Sequence, residues 1–492
     1  MRRLRVLTVG SVIALVSAAC GQPAGSLQAA ADALGAASLK SVEFSGSGRW
    51  FQFGQAPNPT LPWPQFDVST FKTAINYETP SARVEMTRLQ TVEPGRLRPG
   101  PVEQKPVQLI SASYAWNLAV PADAQPDAAP VPQAQPATVE ERMMEIWSTP
   151  QGFVKAALAN NATSQPANGG SEVSFTVGKN RYVGTINAQS HVARVQTWID
   201  NPVLGDTPVE TTFSNYRDFG GLMFPSQIVR IEGGYPVLDI TVSDVKANPA
   251  VDITVPGEVR TFTPPPVLVE VQKLANGVYY LTGGSHHSLA IDQRDHVVVV
   301  EGPQNEDRSL AVIAKVKETI PGKPIRFVIN THAHFDHSGG LRTYVDEGAT
   351  VVTHQMNQPY YEQAWAAPRT LNPDRLAQSK KRAMFETFTD KHVLTDGKRS
   401  IEIYEMTGSG HNDAFLMVYL PAERILVEAD SWSPPLGNAP PQPPGNPFTV
   451  NLYDNVQRLK LPVRTIAAIH GPGVKPMADL KAAAMPAAVA TK

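Results

Sequence analysis

The densest group of chemically capable side chains lies in one short stretch, Thr331 to Gly340, which reads THAHFDHSGG. His332 and His334 are two positions apart, so in an extended chain they face the same way and can bind one metal ion. Asp336 and His337 follow where the chain turns, and they can reach a second ion beside the first. Neutral imidazole and carboxylate groups suit zinc. The alternative, a solvated loop rich in histidine, is disfavoured by the density of these side chains.

The elements around this stretch also favour a functional site. An apolar strand is predicted over residues 325–329, directly before the histidines, and a helix is predicted over residues 341–347, directly after them. A loop at the C-terminal end of a strand is where α/β sheets usually place ligands. The surroundings of the histidines therefore indicate a metal site.

The spacing His-x-His-x-Asp-His at positions 332–337 resembles the signature of the metallo-β-lactamase superfamily. That family expects further ligands, each following a strand, and this sequence supplies candidates in the same order. They are His411 in Gly-Ser-Gly-His, Asp430 after the strand 424–429, and His470 after the strand 465–469. The resemblance covers residues 268–475 and is specific, because four separate points match in order and spacing.

The resemblance implies a site for two zinc ions, with iron or manganese as other divalent ions. Between the ions the family places a water or hydroxide, which the metals make nucleophilic at neutral pH. Asp336 would orient this nucleophile and is the candidate catalytic residue. Carried over by position, the ligands are His332, His334 and His411 for the first ion, Asp336, His337 and His470 for the second, and Asp430 as the bridge.

Three further residues near these positions can take part indirectly. His354 follows a short strand and Glu301 ends another, so each is a candidate for supporting the ligands without touching the metal. His286 lies in the sequence Gly-Gly-Ser-His-His-Ser near the start of the same domain. It either lines the pocket or belongs to a surface turn.

The positions of the histidines place this chemistry in the second half of the chain. Of eleven histidines, only His191 lies before residue 280. Strand and helix patterns alternate over residues 267–480, after a proline-rich linker, which predicts an α/β domain. The family resemblance implies that this domain is an αββα sandwich.

The first half has a different pattern. Residues 21–262 are mostly β-like, with alternating or β-branched runs between Gly, Asn and Pro, which predicts a β-rich α+β domain. Within it, a helical pattern covers residues 139–158, and the Pro-rich stretch near 119–138 is predicted to be a flexible insertion. Residues 481–492 are predicted to form an Ala-rich tail.

Residues 1–20 have the pattern of an export signal. Arginines at positions 2, 3 and 5 precede an uncharged, mostly apolar stretch that is too short to span a membrane. Small residues then lead to Cys20, the only cysteine. A lone free thiol is rarely exported, so we predict a lipoprotein-type signal with lipidation at Cys20. The alternative is ordinary cleavage beside an incidental cysteine. Either outcome places the protein in the periplasm or cell envelope, and the first tethers it to the membrane through a lipid anchor alone.

The composition excludes one class of partner. The net charge is −2 and basic clusters are missing from the sequence, so we predict a small-molecule substrate rather than nucleic acid. The predicted function is that of an exported zinc-dependent hydrolase in which a metal-bridging hydroxide attacks an amide, lactone or ester bond.

Two other functions stay open at this point, because fold alone does not set the substrate. One is a β-lactamase proper, which the turn Ala429-Asp430-Ser431 favours and the sequence His411-Asn412-Asp413 disfavours. The other is a non-catalytic periplasmic lipoprotein whose N-terminal domain binds an apolar ligand and whose metal site is structural. Structural zinc sites are usually closed four-ligand cages, so a complete two-metal ligand set argues against the second.

Overall fold

The computed structural model describes residues 25–121, 128–433, 444–471 and 473–485. The predicted signal with Cys20 lies outside these residues, as does most of the predicted tail. The described strands form three sheets, one in the first half of the chain and two in the second. This arrangement confirms the predicted fold class, a β-rich domain followed by an α/β sandwich. None of the described helices is long and apolar enough to cross a membrane.

One antiparallel sheet makes up most of the first half. Its strands follow one another along the sheet, except that the first strand, β1, pairs with the last, β13. The bounds are β1 Ser41–Phe51, β2 Gln65–Asn76, β3 Ser81–Gln90, β4 Val107–Ser111, β5 Tyr114–Ala119, β6 Val131–Ala134, β7 Thr163–Ala167, β8 Gly170–Val177, β9 Asn180–Ile186, β10 Val192–Asn201, β11 Gly205–Asp218, β12 Met223–Glu232 and β13 Tyr235–Ala247.

Helices cover one face of this sheet and form a single hydrophobic core with it. They are α1 Leu27–Ala33, α2 Val139–Trp147 and α3 Pro150–Ala159. The sequence predicted one helix over residues 139–158, but the structure has two. Thr149 caps α3 by accepting a hydrogen bond from the Gly152 N–H, and Pro150 occupies the first turn of that helix. Proline lacks an N–H and clashes with a preceding helical turn, so it begins a helix rather than continuing one.

The Pro-rich stretch near 119–138 is partly ordered, which corrects the expectation of a flexible insertion. Val131–Ala134 pairs with β5 as an outer strand, and Pro136–Thr138 forms a short 3-10 turn before α2. A proline is tolerated on an edge strand because one side of that strand needs no ladder donor. Residues 122–127 lie outside the described residues.

The second half stacks two sheets face to face. The first has the strand order β14-β15-β16-β17-β18-β19-β20 and the second has the order β21-β22-β23-β24-β25-β26. The bounds are β14 Glu270–Ala275, β15 Val278–Thr282, β16 Ser288–Asp292, β17 Val297–Val300, β18 Ile325–Ile329, β19 Thr350–His354, β20 Phe385–Phe388, β21 Lys391–Thr395, β22 Ser400–Glu405, β23 Leu416–Leu420, β24 Ile425–Glu428, β25 Thr465–Ala468 and β26 Val474–Pro476.

Helices lie on the outer faces of these two sheets. One core joins the sheets to each other and to α10 and α11, while another joins the first sheet to α5 and α7. The layers therefore follow the expected order αββα. The bounds are α4 Gly257–Thr261 before the domain, then α5 Glu306–Thr319, α6 Phe335–Ser338, α7 Leu341–Glu347, α8 Asn357–Ala366, α9 Arg375–Ser379, α10 Pro447–Arg458 and α11 Met477–Ala484.

The last helix corrects the expected start of the tail. α11 extends to Ala484, so residues 481–484 are helical rather than part of an irregular tail. Leu480 and Ala484 are buried, with Leu480 in the core between the sheets. Burial of these apolar side chains ties the segment to the domain.

Candidate metal centre

Four strand ends meet at one edge of the two facing sheets. β18 leads directly into the histidine-rich loop, and the turn after β22 carries His411. β24 and β25 run parallel, so the residues that follow them, Asp430 and His470, emerge on the same side. Parallel pairing thus brings residues that are distant in sequence to one place.

The first cluster holds the residues that the resemblance assigned to the first ion and to the bridge. His332, His334, His411 and Asp430 each offer a ligand atom, and these atoms all lie within 4.8 Å of one another. Asp430 Oδ2 lies 3.0 Å from His411 Nε2 and 3.4 Å from His332 Nε2.

The second cluster lies on the other side of Asp430. It contains His286, Asp336, His337 and His470, again with ligand atoms within 4.8 Å of one another. Asp430 Oδ1 lies 3.1 Å from His337 Nε2 and 2.7 Å from His470 Nδ1. One carboxylate oxygen of Asp430 therefore faces each cluster, as a bridging ligand requires.

The buried ring nitrogens fit a bound metal. Nε2 of His332, Nδ1 of His334, Nε2 of His337 and Nε2 of His411 are buried without a hydrogen-bond partner. Leaving such an atom unpaired costs about 1–3 kcal/mol. Divalent cations at these nitrogens would remove that cost, and the donor set of imidazole and carboxylate is the one that zinc takes.

The ionisation of these groups also suits metal binding. Burial lowers the pKa of His332 to about 4, and the nearby His337 adds to the effect. Burial likewise holds the pKa of His334 well below its usual value. Burial alone would raise the pKa of Asp430, but the charge on His337 holds it well below its usual range. At neutral pH the site therefore offers neutral imidazoles at His332 and His334 and an anionic carboxylate at Asp430. Burial alone would lower the pKa of His337, but Asp430 and Glu301 hold it well above its usual value, so metal binding must displace a proton there.

Contacts behind the ligands orient the rings. His334 Nε2 donates to the carbonyl oxygen of Ala56 at 3.0 Å, which leaves Nδ1 facing the first cluster. His337 Nδ1 lies 3.0 Å from a carboxylate oxygen of Glu301, which leaves Nε2 facing Asp430. Such partners fix the tautomer and orientation of metal-binding histidines.

Glu301 lies where a supporting residue would lie. Its side chain is fully buried, and besides His337 it accepts hydrogen bonds from the Thr331 N–H at 3.3 Å and hydroxyl at 2.5 Å. Its φ is +75°, a backbone conformation that non-glycine residues adopt at a cost.

His354, the other candidate for supporting the ligands, does not contact them. Its Nδ1 accepts the Met356 N–H at 3.3 Å, and it is in none of the clusters found among the described residues.

The structure decides between the two alternatives for His286. This residue is 6% exposed, its Nε2 lies 3.1 Å from Asp336 Oδ2, and its ring stacks on His470 with centroids 3.9 Å apart. The surface-turn alternative is therefore wrong. The neighbouring His287 points elsewhere, and its Nε2 donates to the Gly471 carbonyl oxygen at 2.7 Å.

A segment of the N-terminal domain, residues 53–58, contacts the metal loop directly, and we call it the strap. Main-chain oxygens of Gly54 and Ala56 accept hydrogen bonds from Phe335 and His334. The Gln55 amide donates from Nε2 to Asp336 Oδ1 at 2.8 Å. These contacts make the N-terminal domain part of the metal centre.

Close packing holds the strap against the loop. A Cβ on Gly54 would lie 2.6 Å from the Phe335 ring, and the φ of Gly54 is +81°, so this position requires glycine. Phe335 packs edge-on against Phe53 and Trp63, with centroid distances of 5.2 and 5.7 Å. The apolar contact anchors the loop that carries Asp336.

A second contact from the same domain reaches the His411 turn. Arg96 forms a two-point ion pair with Asp413, at 2.7 and 3.1 Å, and Asn58 donates to the same carboxylate at 2.6 Å. The sequence did not predict the roles of Arg96, Asn58 and Gln55, because each lies hundreds of positions from its partner and no local pattern marks it. His286 did carry a signal, its place in a Gly-Gly-Ser-His-His turn.

The comparison with protein families agrees with this geometry. The model of the metallo-beta-lactamase superfamily matches residues 281–466. A metallo-beta-lactamase type 2 from Elizabethkingia meningoseptica is 23% identical over 167 residues, which cover 32% of this chain and 60% of that protein. The 2,4-dinitroanisole O-demethylase subunit alpha from Nocardioides sp. (strain JS1661) is 24% identical over 159 residues, 31% of this chain and 43% of that one. This chain thus spans about half the length of these relatives.

Several solved structures are similar to this chain. One is the metallo-beta-lactamase from Pontibacter korlensis, which is 19% identical, has a TM-score of 0.33, and matches over 44% of this chain and 97% of that one. A metallo-beta-lactamase from Hirschia baltica has 20% identity and a TM-score of 0.32, and covers 44% of this chain and 96% of its own. The family match over residues 281–466, together with the ligand candidates at four strand ends, supports assigning this part of the chain to the metallo-β-lactamase superfamily.

Proposed function

We propose that this protein is a zinc-dependent hydrolase with a two-metal centre in its C-terminal domain. One observation carries the proposal. The Asp430 carboxylate lies between two clusters, and four of their ring nitrogens, three in the first cluster and that of His337 in the second, are buried without hydrogen-bond partners. A structural zinc site is usually a closed cage of four ligands, whereas these clusters share a carboxylate and leave Asp336 and His470 partly exposed. Such an arrangement favours catalysis over a structural role.

The ions would be held by the clustered residues, and when bound they supply Lewis acidity that activates water near neutral pH. The chain itself orients Asp336. Gln55 holds one carboxylate oxygen and His286 lies beside the other, while 30% of the side chain is exposed at the mouth of the site. Burial would raise the pKa of Asp336, but the hydrogen bond from His286 and the charge on His337 keep it well below its usual value. Asp336 is therefore an anionic acceptor that can orient an attacking water.

We infer that the substrate is a small molecule with an amide, lactone or ester bond. The printed activities of the two relatives differ, since one is a β-lactamase and the other an O-demethylase. β-Lactams are therefore one substrate class to test among several. Export to the periplasm or cell envelope, which the first twenty residues predict, would restrict the substrate to compounds met outside the cytoplasm.

The test combines metal analysis with a substrate panel. We expect the purified protein to contain two zinc ions per chain and to hydrolyse at least one chromogenic β-lactam, lactone, thioester, phosphodiester or sulfate ester. The variants His332→Ala and Asp336→Ala should lose this activity without unfolding. His296→Ala is the matched control, because His296 is buried in the same domain but lies in none of the described clusters. Full activity in metal-free protein would overturn the proposal.

A second candidate function, binding of an apolar ligand by the N-terminal domain, is favoured by a cavity of about 240 Å³ in that domain. Its walls are mostly aromatic and aliphatic, including Phe44, Phe71 and Ile240, and the lining also includes the charged residues Glu141, Arg142, Glu145, Arg230 and Glu232. Two hydroxyl groups on its lining, of Thr73 and Ser148, are buried without hydrogen-bond partners. An apolar wall with a few polar groups is typical of small-molecule sites.

Ligand binding can be tested with a fluorescent fatty acid. Ala82 lines the cavity, so Ala82→Phe should fill it and abolish binding. Ala74 lies on the neighbouring strand β2, opposite Arg83, and is absent from the lining, which makes Ala74→Phe the matched control. Binding in the wild type, together with a failure of the whole substrate panel, would favour this function over hydrolysis. Equal binding by both variants would exclude the cavity.

A further inference from the structure

We propose that His286 is a ligand of the second metal ion, alongside Asp336, His337 and His470. This inference rests on the proposed two-metal centre and goes beyond its expected ligand set. With Asp430 as the bridge, the second position would then have one more protein donor than the family signature supplies.

The spacing of the donor atoms carries the proposal. His286 Nε2 lies 3.1 Å from Asp336 Oδ2, and Asp336 Oδ2 lies 3.8 Å from His337 Nε2. Zinc-type ions bind nitrogen and oxygen ligands at about 2.0–2.2 Å, so neighbouring donors on one ion lie about 3 Å apart. The four donor atoms of this cluster all lie within 4.8 Å of one another, as ligands of one ion must.

The other ring nitrogen of His286 already has a partner. Nδ1 lies 3.0 Å from the Ser285 hydroxyl oxygen, which also accepts a hydrogen bond from the Gln304 amide at 3.3 Å. Without a metal, Nε2 donates its proton to Asp336. An ion between these two atoms would take the place of that proton, and Nδ1 would then carry a proton and donate it to Ser285.

The fold holds the His286 backbone rigidly in this place. His286 and His470 pair as an isolated β-bridge, and the Arg308 guanidinium donates to the His286 carbonyl oxygen at 3.2 Å. A Cβ on Gly283 would lie 2.4 Å from the Leu268 carbonyl oxygen, so the turn before His286 needs glycine. Ligands built on a fixed backbone lose little entropy when the metal binds.

The additional donor has a chemical consequence. A position with three imidazoles and two carboxylates exceeds the four ligands that zinc usually takes in proteins. It suits ions that accept five or six nitrogen and oxygen ligands, such as Co²⁺, Mn²⁺ or Fe²⁺. We therefore infer that the second position binds these ions more readily than a centre without His286 would.

A competing role for His286 is a hydrogen bond to Asp336 without contact to the metal. Two variants separate the roles. His286→Ala removes both, whereas His286→Gln retains a side-chain donor for Asp336 and loses the imidazole. His296→Gln is the matched control, since it removes a buried histidine from the same domain and outside the clusters.

The experiment titrates full-length, metal-free protein with Co²⁺ and follows visible absorption and the hyperfine-shifted imidazole proton signals. We expect the wild type and His296→Gln to bind two ions. Both His286 variants should bind the first ion normally and the second about 10–100-fold more weakly, with one imidazole signal fewer and stronger visible bands.

The outcomes are distinct. If His286→Gln binds the second ion with the wild-type spectrum and signal count, His286 is only a hydrogen-bond partner and the inference is wrong, while the two-metal proposal stands. If the wild type binds a single ion, the two-metal proposal itself fails, and this assignment fails with it.

Discussion

At the scale of single residues, the contacts behind each ligand decide which atom faces the metal site. His334 presents Nδ1 because its Nε2 is engaged by a main-chain oxygen, whereas His337 presents Nε2 because its Nδ1 meets Glu301. Glu301 is thus a positioning residue, buried and in a costly backbone conformation. A strained backbone persists when surrounding contacts compensate for its cost, and this indicates that the contact between Glu301 and His337 is important.

Replacing Glu301 by Gln should weaken metal binding at the second position by about 10–100-fold, because His337 loses its charged partner. Metal-buffered titration of the metal-free protein measures this effect. Glu347→Gln, which alters a surface ion pair with Lys317, is the control and should leave the affinity unchanged. Unchanged affinity in the Glu301 variant would show that its contact with His337 has no role.

Glu232 gives a pH-dependent prediction in the N-terminal domain. Burial raises the pKa of this carboxyl from its usual 4.5 to about 7, although Arg230 opposes the shift. Between these values the unfolded chain loses its proton first, so the group destabilises the folded state increasingly as pH rises from about 4.5 to 7. Glu232→Gln should therefore raise the melting temperature relative to wild type at pH 8 and have little effect at pH 4. An equal shift at both values would contradict this.

At the scale of elements, the strap explains why the loop after β18 takes its position. Three main-chain oxygens of the strap accept hydrogen bonds from the metal domain: Gly54 from the Phe335 N–H, Ala56 from the His334 ring Nε2 and Pro57 from the Asp413 N–H. On the side of the strap these bonds depend on backbone shape, so substitutions of the strap side chains leave them in place. Gln55 and Asn58 add side-chain contacts, to Asp336 and Asp413 respectively.

The variant Gln55→Ala should lower the catalytic rate at least several-fold, with little change in melting temperature, because it frees one oxygen of Asp336 and removes no core contact. Gln52→Ala, three positions earlier at the edge of the strap, is the matched control and should retain wild-type rates. The measurement is steady-state hydrolysis of whichever panel substrate the wild type accepts. Loss of stability in place of loss of rate would mean that Gln55 is structural.

At the scale of the whole molecule, two domains share one site. The strap and Arg96 reach the metal loops, and Arg369 of the metal domain donates to the Asn201 and Val203 carbonyl oxygens of the N-terminal domain at 3.2 and 2.8 Å. On the same side, the Asp206 carboxylate accepts hydrogen bonds from the Thr370 N–H and hydroxyl. These contacts couple the stability of the metal site to the fold of the first domain.

The lipid anchor predicted from the sequence can be tested on the same full chain. If Cys20 is lipidated in a bacterial host, the wild type should enter the detergent phase on partitioning, and Cys20→Ser should remain in the aqueous phase. Mass spectrometry of the mature N-terminus would identify the modification. Equal partitioning of the two proteins would reject the anchor.

By itself, the sequence determined the part of the site that lies close together along the chain. His332, His334, Asp336 and His337 are fixed by local spacing, and the strand patterns before His411, Asp430 and His470 predicted where the remaining candidates emerge. Alternation and helix signals predicted a β-rich domain followed by an α/β domain, because periodicity reflects which side chains face the core, whereas the αββα order was implied by the family resemblance. The division of residues 139–158 into α2 and α3 also had a local signal in the sequence, namely Pro150.

Only the tertiary structure decided the contacts between distant segments. Gln55 and Asp336 are 281 positions apart, and His286 and Asp336 are 50 apart, yet both pairs are in hydrogen-bond contact. Main-chain oxygens such as that of Ala56 carry no sequence signal at all, because every residue has one. The reason is physical. Local spacing determines which side chains lie on the same face of a strand or helix, whereas the packing of elements and domains determines which distant groups come into contact.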